Sequence, residues 1–170
     1  TDAIKILVKV LEDVNQEPMV RHEAAEALGA IASPESTSIL EKYLNDPVVE
    51  VAETCELALE RIKWLSSGES VKLSQNPYQS VDPAPPLNNH NVEELKNILL
   101  DEKASLFLRY RAMFSLRNLQ NKEATMALCS ALDHGSALFK HEVAFVLGQL
   151  QDALSVPFLS KSLEDSLENE

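Results

Sequence analysis

The chain has 170 residues, 45% of them apolar and 5% aromatic, with only four glycines. Asp and Glu number 27 against 15 Lys and Arg, a formal net charge of −12, which argues against a nucleic-acid binder and for a basic partner. No apolar run is long enough for a membrane span, and no signal peptide is expected. The two cysteines, Cys55 and Cys129, give neither a disulfide framework nor a zinc spacing. The expectation is a cytoplasmic protein of a reducing compartment, away from membranes. It should be helical, because Leu, Ala and Glu dominate its composition.

In chain order, Asp2 to Asp13 reads as a helix with Ile6, Leu7, Val10 and Leu11 on its apolar side. Pro18 suits the first turn of a second helix that runs to about Ala32. Ser33-Pro34 opens a third, expected to bury Ile39, Leu40, Tyr43 and Leu44. After Asn45-Asp46-Pro47 comes a longer helix ending near Trp64-Leu65. Ser66 to about Asn91 then carries Gly68, Asn76-Pro77, Pro83, Pro85 and Pro86, which block helix continuation and predict a long linker. Tyr78, Val81 and Leu87 are the candidates to pin it down.

An apolar stripe recurs on both sides of that break. Val20, Ala24, Ala27, Leu28 and Ile31 return 31 residues later as Val51, Cys55, Ala58, Leu59 and Ile62. Leu108, Ala112, Ser115, Leu116 and Leu119 likewise precede Phe139, Val143, Val146, Leu147 and Leu150 by 31 residues, with Ala127, Leu128, Ala131 and Leu132 on an outer helix between. A period of about 30 residues holding two short helices marks an α-solenoid. The expected architecture is all-α: an N-terminal stack over 1–65, a Pro/Ser/Asn-rich linker over 66–91 and a C-terminal stack over 92–170.

Two helices carry something the stripe does not explain. Arg21-His22-Glu23 and Lys140-His141-Glu142 each precede a Leu-Gly, and the pair is absent from the intervening copies, where Glu53-Thr54 and Tyr110-Arg111 stand. Those substitutes read as repeat packing and surface polar groups. Leu7-x3-Leu11-Glu12-Asp13 recurs as Leu159-x3-Leu163-Glu164-Asp165, so the second half ends where a Pro18-like helix should follow. This predicts a piece of a longer solenoid with four His-Glu pairs, two of them here.

Neighbouring helical residues point about 100° apart, so a single His-Glu pair chelates poorly and ligands must be gathered from several helices. Mixed imidazole and carboxylate donors with open positions suit non-heme iron and oxygen chemistry. The plain alternative is a pair of solvated polar residues on a scaffold whose concave face binds a partner. His90 and His134 lack ligand-like neighbours, and no phosphate loop, nucleophile elbow or Cys-His dyad is present.

Val20 to Ile31, Phe139-Lys140-His141-Glu142, Ser80-Val81-Asp82-Pro83-Ala84-Pro85-Pro86 and Arg109-Tyr110-Arg111-Ala112-Met113-Phe114 together resemble the deoxyhypusine hydroxylase family. The resemblance covers the whole chain, linker included. It implies HEAT-like helical-hairpin repeats in two halves around a non-heme di-iron (Fe2+) centre held by four His-Glu motifs. His22 and Glu23 match the second motif and His141 and Glu142 the third. No catalytic residue beyond these and no organic cofactor is implied. The implied activity uses dioxygen to hydroxylate the deoxyhypusine side chain of translation factor five-A. With two motifs lacking, the isolated piece is expected to be inactive.

Overall fold

The computed structural model describes residues 2–68 and 76–166. Among them all regular structure is helical: α1 (Asp2–Glu12), α2 (Pro18–Ile31), α3 (Thr37–Lys42), α4 (Val49–Ser66), α5 (Val92–Leu100), α6 (Leu106–Leu119), α7 (Lys122–Cys129), α8 (Ala137–Leu150) and α9 (Val156–Glu164). Short 3-10 turns at Pro34–Ser36 and Ala153–Ser155 lead into α3 and α9. Local chemistry sets the helix starts. Pro18 occupies the first turn of α2, where a missing N–H costs nothing, and Asn91, Ser105, Asn121 and Ser136 cap α5 to α8 with their side chains.

Three of the four longer helices end alike. α2, α6 and α8 are each 14 residues long and close on a left-handed residue, Ala32 (φ 53°), Gln120 (φ 48°) or Gln151 (φ 52°). The N–H of that residue turns back onto a carbonyl of the last turn, a cap usually given to glycine. α4 instead continues to Ser66.

The chain divides into two compact units. One holds α1–α4 with Val81–Ala84; the other holds, among the described residues, 76–80 and 85–166, with α5–α9. In the first, Leu11, Ala25, Leu28, Leu40, Val51 and Cys55 are fully buried between α1, α2, α3 and α4. In the second, Leu95, Leu99, Ala112, Phe114, Leu128, Phe139 and Val143 fill the equivalent place. Each unit also buries an arginine at one register: Arg21 Nε donates to Leu11 O (3.0 Å) and Arg109 Nε to Leu99 O (2.9 Å), both ten residues back. The carbonyl is the last-turn acceptor of the preceding helix, so the arginine closes the hairpin while its stem packs in the core.

The stripe needs correction at its ends. Val20 and Ile31 are exposed, as is Leu44, whereas Ile4 is buried. The stripe core (Ala24, Leu28, Val51, Cys55, Phe139, Val143, Leu147) is buried as expected.

Residues 76–91 hold no helix, and several are fastened. Arg61 Nη1 donates to Gly29 O (2.9 Å) and its Nε to Asp82 O (3.2 Å), within the first unit. In the second unit Arg111 Nε donates to Pro85 O (3.0 Å) and Leu87 N–H to Ser115 Oγ (2.7 Å). Arg117, fully buried, lies 4.8 Å from the Tyr78 and Phe114 ring centroids and donates to Asn76 Oδ1 (3.2 Å) and Gln149 Oε1 (3.0 Å). Tyr78 and Leu87 thus act as pins; Val81 is exposed and does not. Arg111 spends its guanidinium on the Pro85 and Pro86 carbonyls.

Candidate metal centre

The first His-Glu pair is placed by the arginine before it. Arg21 is buried, with Nε on Leu11 O and Nη1 on Asp46 Oδ1 (3.2 Å), which fixes the rotation of α2 between α1 and the turn after α3. One residue on, about 100° round the helix, His22 is directed at α4. Its ring is buried, with Nδ1 at 3.0 Å from Thr54 Oγ1. Thr54, buried as well, donates its hydroxyl to Glu50 O at 2.7 Å. His22 Nε2 lies 3.6 Å from Glu23 Oε1, and the Glu23 side chain is 64% exposed.

Glu26 completes the group. One ligand atom from each of His22, Glu23 and Glu26 lies within 4.8 Å of the others. Burial, with the Glu23 and Asp82 carboxylates nearby, pushes the Glu26 carboxyl up to about 7. One imidazole and two carboxylates form a donor set suited to a divalent first-row metal, and a cation there would reverse the repulsion that now raises Glu26. The residues therefore fit a metal ion.

The burial of two residues is a finding here. His22 was placed outside the buried face, yet it is 3% exposed, because α4 covers it. The expectation that a single His-Glu pair chelates poorly is untouched, since here Glu26 adds a third donor from the same helix. The signal for Glu26 lay in the sequence as a carboxylate four residues after the histidine, a spacing that puts both on one helix face. Of the two readings given for Glu53-Thr54, repeat packing holds for Thr54, which is buried against His22.

The second pair sits differently. On α8 it is His141 that is exposed and Glu142 that is buried, 6% exposed. Phe145 takes the position corresponding to Glu26. His134 lies on the surface 3.9 Å from Glu102, and His90 is exposed. Cys55 and Cys129 are free and buried, and burial raises both thiols, Cys55 to about 12, so neither is a thiolate ready to bind metal.

Comparison with known proteins extends these observations. Residues 1–60 match a family model described as HEAT repeats, and residues 108–134 match one described as PBS lyase HEAT-like repeat. The chain is 62% identical over 169 residues to a deoxyhypusine hydroxylase of Drosophila melanogaster, covering 99% of this chain and 56% of that protein. It is 56% identical to the Homo sapiens deoxyhypusine hydroxylase, covering 98% and 55% respectively. A solved structure of human deoxyhypusine hydroxylase in complex with glycerol superposes with a TM-score of 0.94 at 55% identity, over 99% of this chain and 58% of that one. The chain thus spans a little over half the length of the curated relatives it matches. With its sequence shared along nearly its full length and its helices superposing on a solved relative, the chain is similar throughout to a little over half of a deoxyhypusine hydroxylase.

Proposed function

We propose that this chain is part of an enzyme that hydroxylates the deoxyhypusine side chain of translation factor five-A, using dioxygen at a non-heme di-iron centre. The observation that carries this reading is the convergence of His22, Glu23 and Glu26, in a chain 62% identical to a deoxyhypusine hydroxylase. His22, Glu23, His141 and Glu142 are the proposed protein ligands, with His-Glu pairs on flanking repeats supplying the remainder. Iron, when bound, supplies the dioxygen chemistry that places a hydroxyl on the substrate side chain.

The chain's own residues do the rest. His22 offers a buried imidazole held from behind by α4, and Glu23 a carboxylate open to solvent. The acidic balance of the whole chain, −12, draws in a polyamine-like cation and turns away nucleic acid. No helix among the described residues is long and apolar enough to cross a membrane, consistent with the proposed cytoplasmic setting.

The test is iron content and turnover in the full-length protein. His22→Ala and His141→Ala are expected to lose iron and activity while remaining folded. His22→Ala should melt lower because it empties a buried, hydrogen-bonded place, whereas loss of the exposed His141 costs little. Normal iron and normal turnover in both would remove His22 and His141 from the site, while a wild type with neither iron nor turnover would leave a HEAT-like scaffold as the reading.

A further inference from the structure

We infer that Thr54 is a positioning residue for the proposed metal site: it fixes the tautomer of His22 so that Nε2 carries the lone pair. The inference rests on the metal reading above for its purpose, and on hydrogen-bond geometry for its substance.

A threonine hydroxyl has one proton and two lone pairs. Thr54 Oγ1 stands 2.7 Å from Glu50 O, a carbonyl that can only accept. Were the hydroxyl proton turned elsewhere, two oxygen lone pairs would face each other at that distance in a buried setting. The proton is therefore committed to Glu50 O, and Oγ1 presents a lone pair to its other neighbour. That neighbour is His22 Nδ1 at 3.0 Å, which must then carry the ring proton and donate it. In the neutral ring this leaves Nε2 as the electron-pair donor. Nε2 is also the ring atom on the Glu23 side, 3.6 Å from Oε1. The relay Glu50 O, Thr54 Oγ1, His22 Nδ1 has the form by which proteins orient metal-ligating imidazoles and raise their basicity.

The burial pattern supports a dedicated role. Thr54 and His22 are each 3% exposed, so water has little chance to replace either partner. The acceptor is a main-chain carbonyl of α4, fixed in place by the helix rather than by a movable side chain.

The experiment compares wild type, Thr54→Val and Thr54→Ser in the full-length protein. Val keeps the shape and removes the hydroxyl; Ser keeps the hydroxyl. Imidazole 15N spectra of the metal-free protein at alkaline pH, with His22 assigned through His22→Gln, report the tautomer directly. Wild type and Thr54→Ser are expected to show Nδ1–H, and Thr54→Val to lose that preference. Anaerobic Fe(II) titration is expected to show affinity about 10- to 100-fold weaker in Thr54→Val, restored in Thr54→Ser. Retention of the Nδ1–H form in Thr54→Val overturns the inference. So does a changed tautomer with unchanged Fe(II) affinity. If wild type binds no Fe(II), the metal reading fails and the positioning role fails with it, while the tautomer spectra still decide separately whether Thr54 sets the ring proton.

Discussion

Glu26 lies between Glu23 and Asp82 in charge terms, and burial together with those two carboxylates lifts its carboxyl to about 7. An acid whose pKa rises on folding takes up a proton as the chain folds. The cost of burying it is absent below the ordinary carboxylate range, where both states are protonated, and grows as pH climbs to about 7. Glu26→Gln is therefore expected to stabilise the metal-free protein by roughly 1–3 kcal/mol near pH 8, with most of that gain gone by about pH 5. Thermal melts at the two pH values check it, and an equal gain at both would refute it. At this scale the sequence was only partly legible. His22 and Glu23 stood out by repetition, but the burial of His22 comes from α4, a neighbour that the helix's own pattern does not contain. Thr54 was in view, 32 residues on, yet its meaning depends on a hydroxyl direction that spacing alone cannot supply.

Among the helices, the Leu-Gly that follows each His-Glu pair has two different environments. A Cβ at Gly29 would sit 2.7 Å from the Ala58 Cβ and 2.9 Å from its Cα, so α2 and α4 touch there through backbone. Gly29→Ala is expected to cost about 1–3 kcal/mol through overpacking. A Cβ at Gly148 would meet nothing within 4 Å, and Gly148→Ala in the 170-residue chain should gain up to about 1 kcal/mol of helix propensity. Denaturant melts of both variants separate the two environments. The adjacent leucines are alike instead: Leu28 and Leu147 are both fully buried, and either changed to Ala should lose about 2–5 kcal/mol while metal binding persists. Element positions were largely legible in the first half because Pro18, Ser33-Pro34 and Asn45-Asp46-Pro47 mark starts and turns locally. Exposure at Val20, Ile31 and Leu44 was not, since it depends on which neighbouring helix arrives to cover each position.

Across the whole molecule, charge and the 31-residue repeat pointed to an acidic helical solenoid, and all regular structure among the described residues is helical. How residues 76–91 are shared was not legible: backbone carbonyls of Asp82 and Pro85 are taken by arginines of different units, and no periodicity encodes that. The same division gives each unit one thiol, Cys55 on α4 in the first and Cys129 on α7 in the second, both free and buried. Alkylation and oxidation require a thiolate within reach of reagent, and burial denies both conditions. A protein built this way keeps its sulfur unreactive until the fold opens. Each cysteine then becomes a built-in clock for its own unit: under pulsed iodoacetamide, modification of Cys55 should follow opening of α1–α4, and that of Cys129 opening of α5–α9. Mass-resolved labelling of the two peptides would reveal whether the units open together or one at a time.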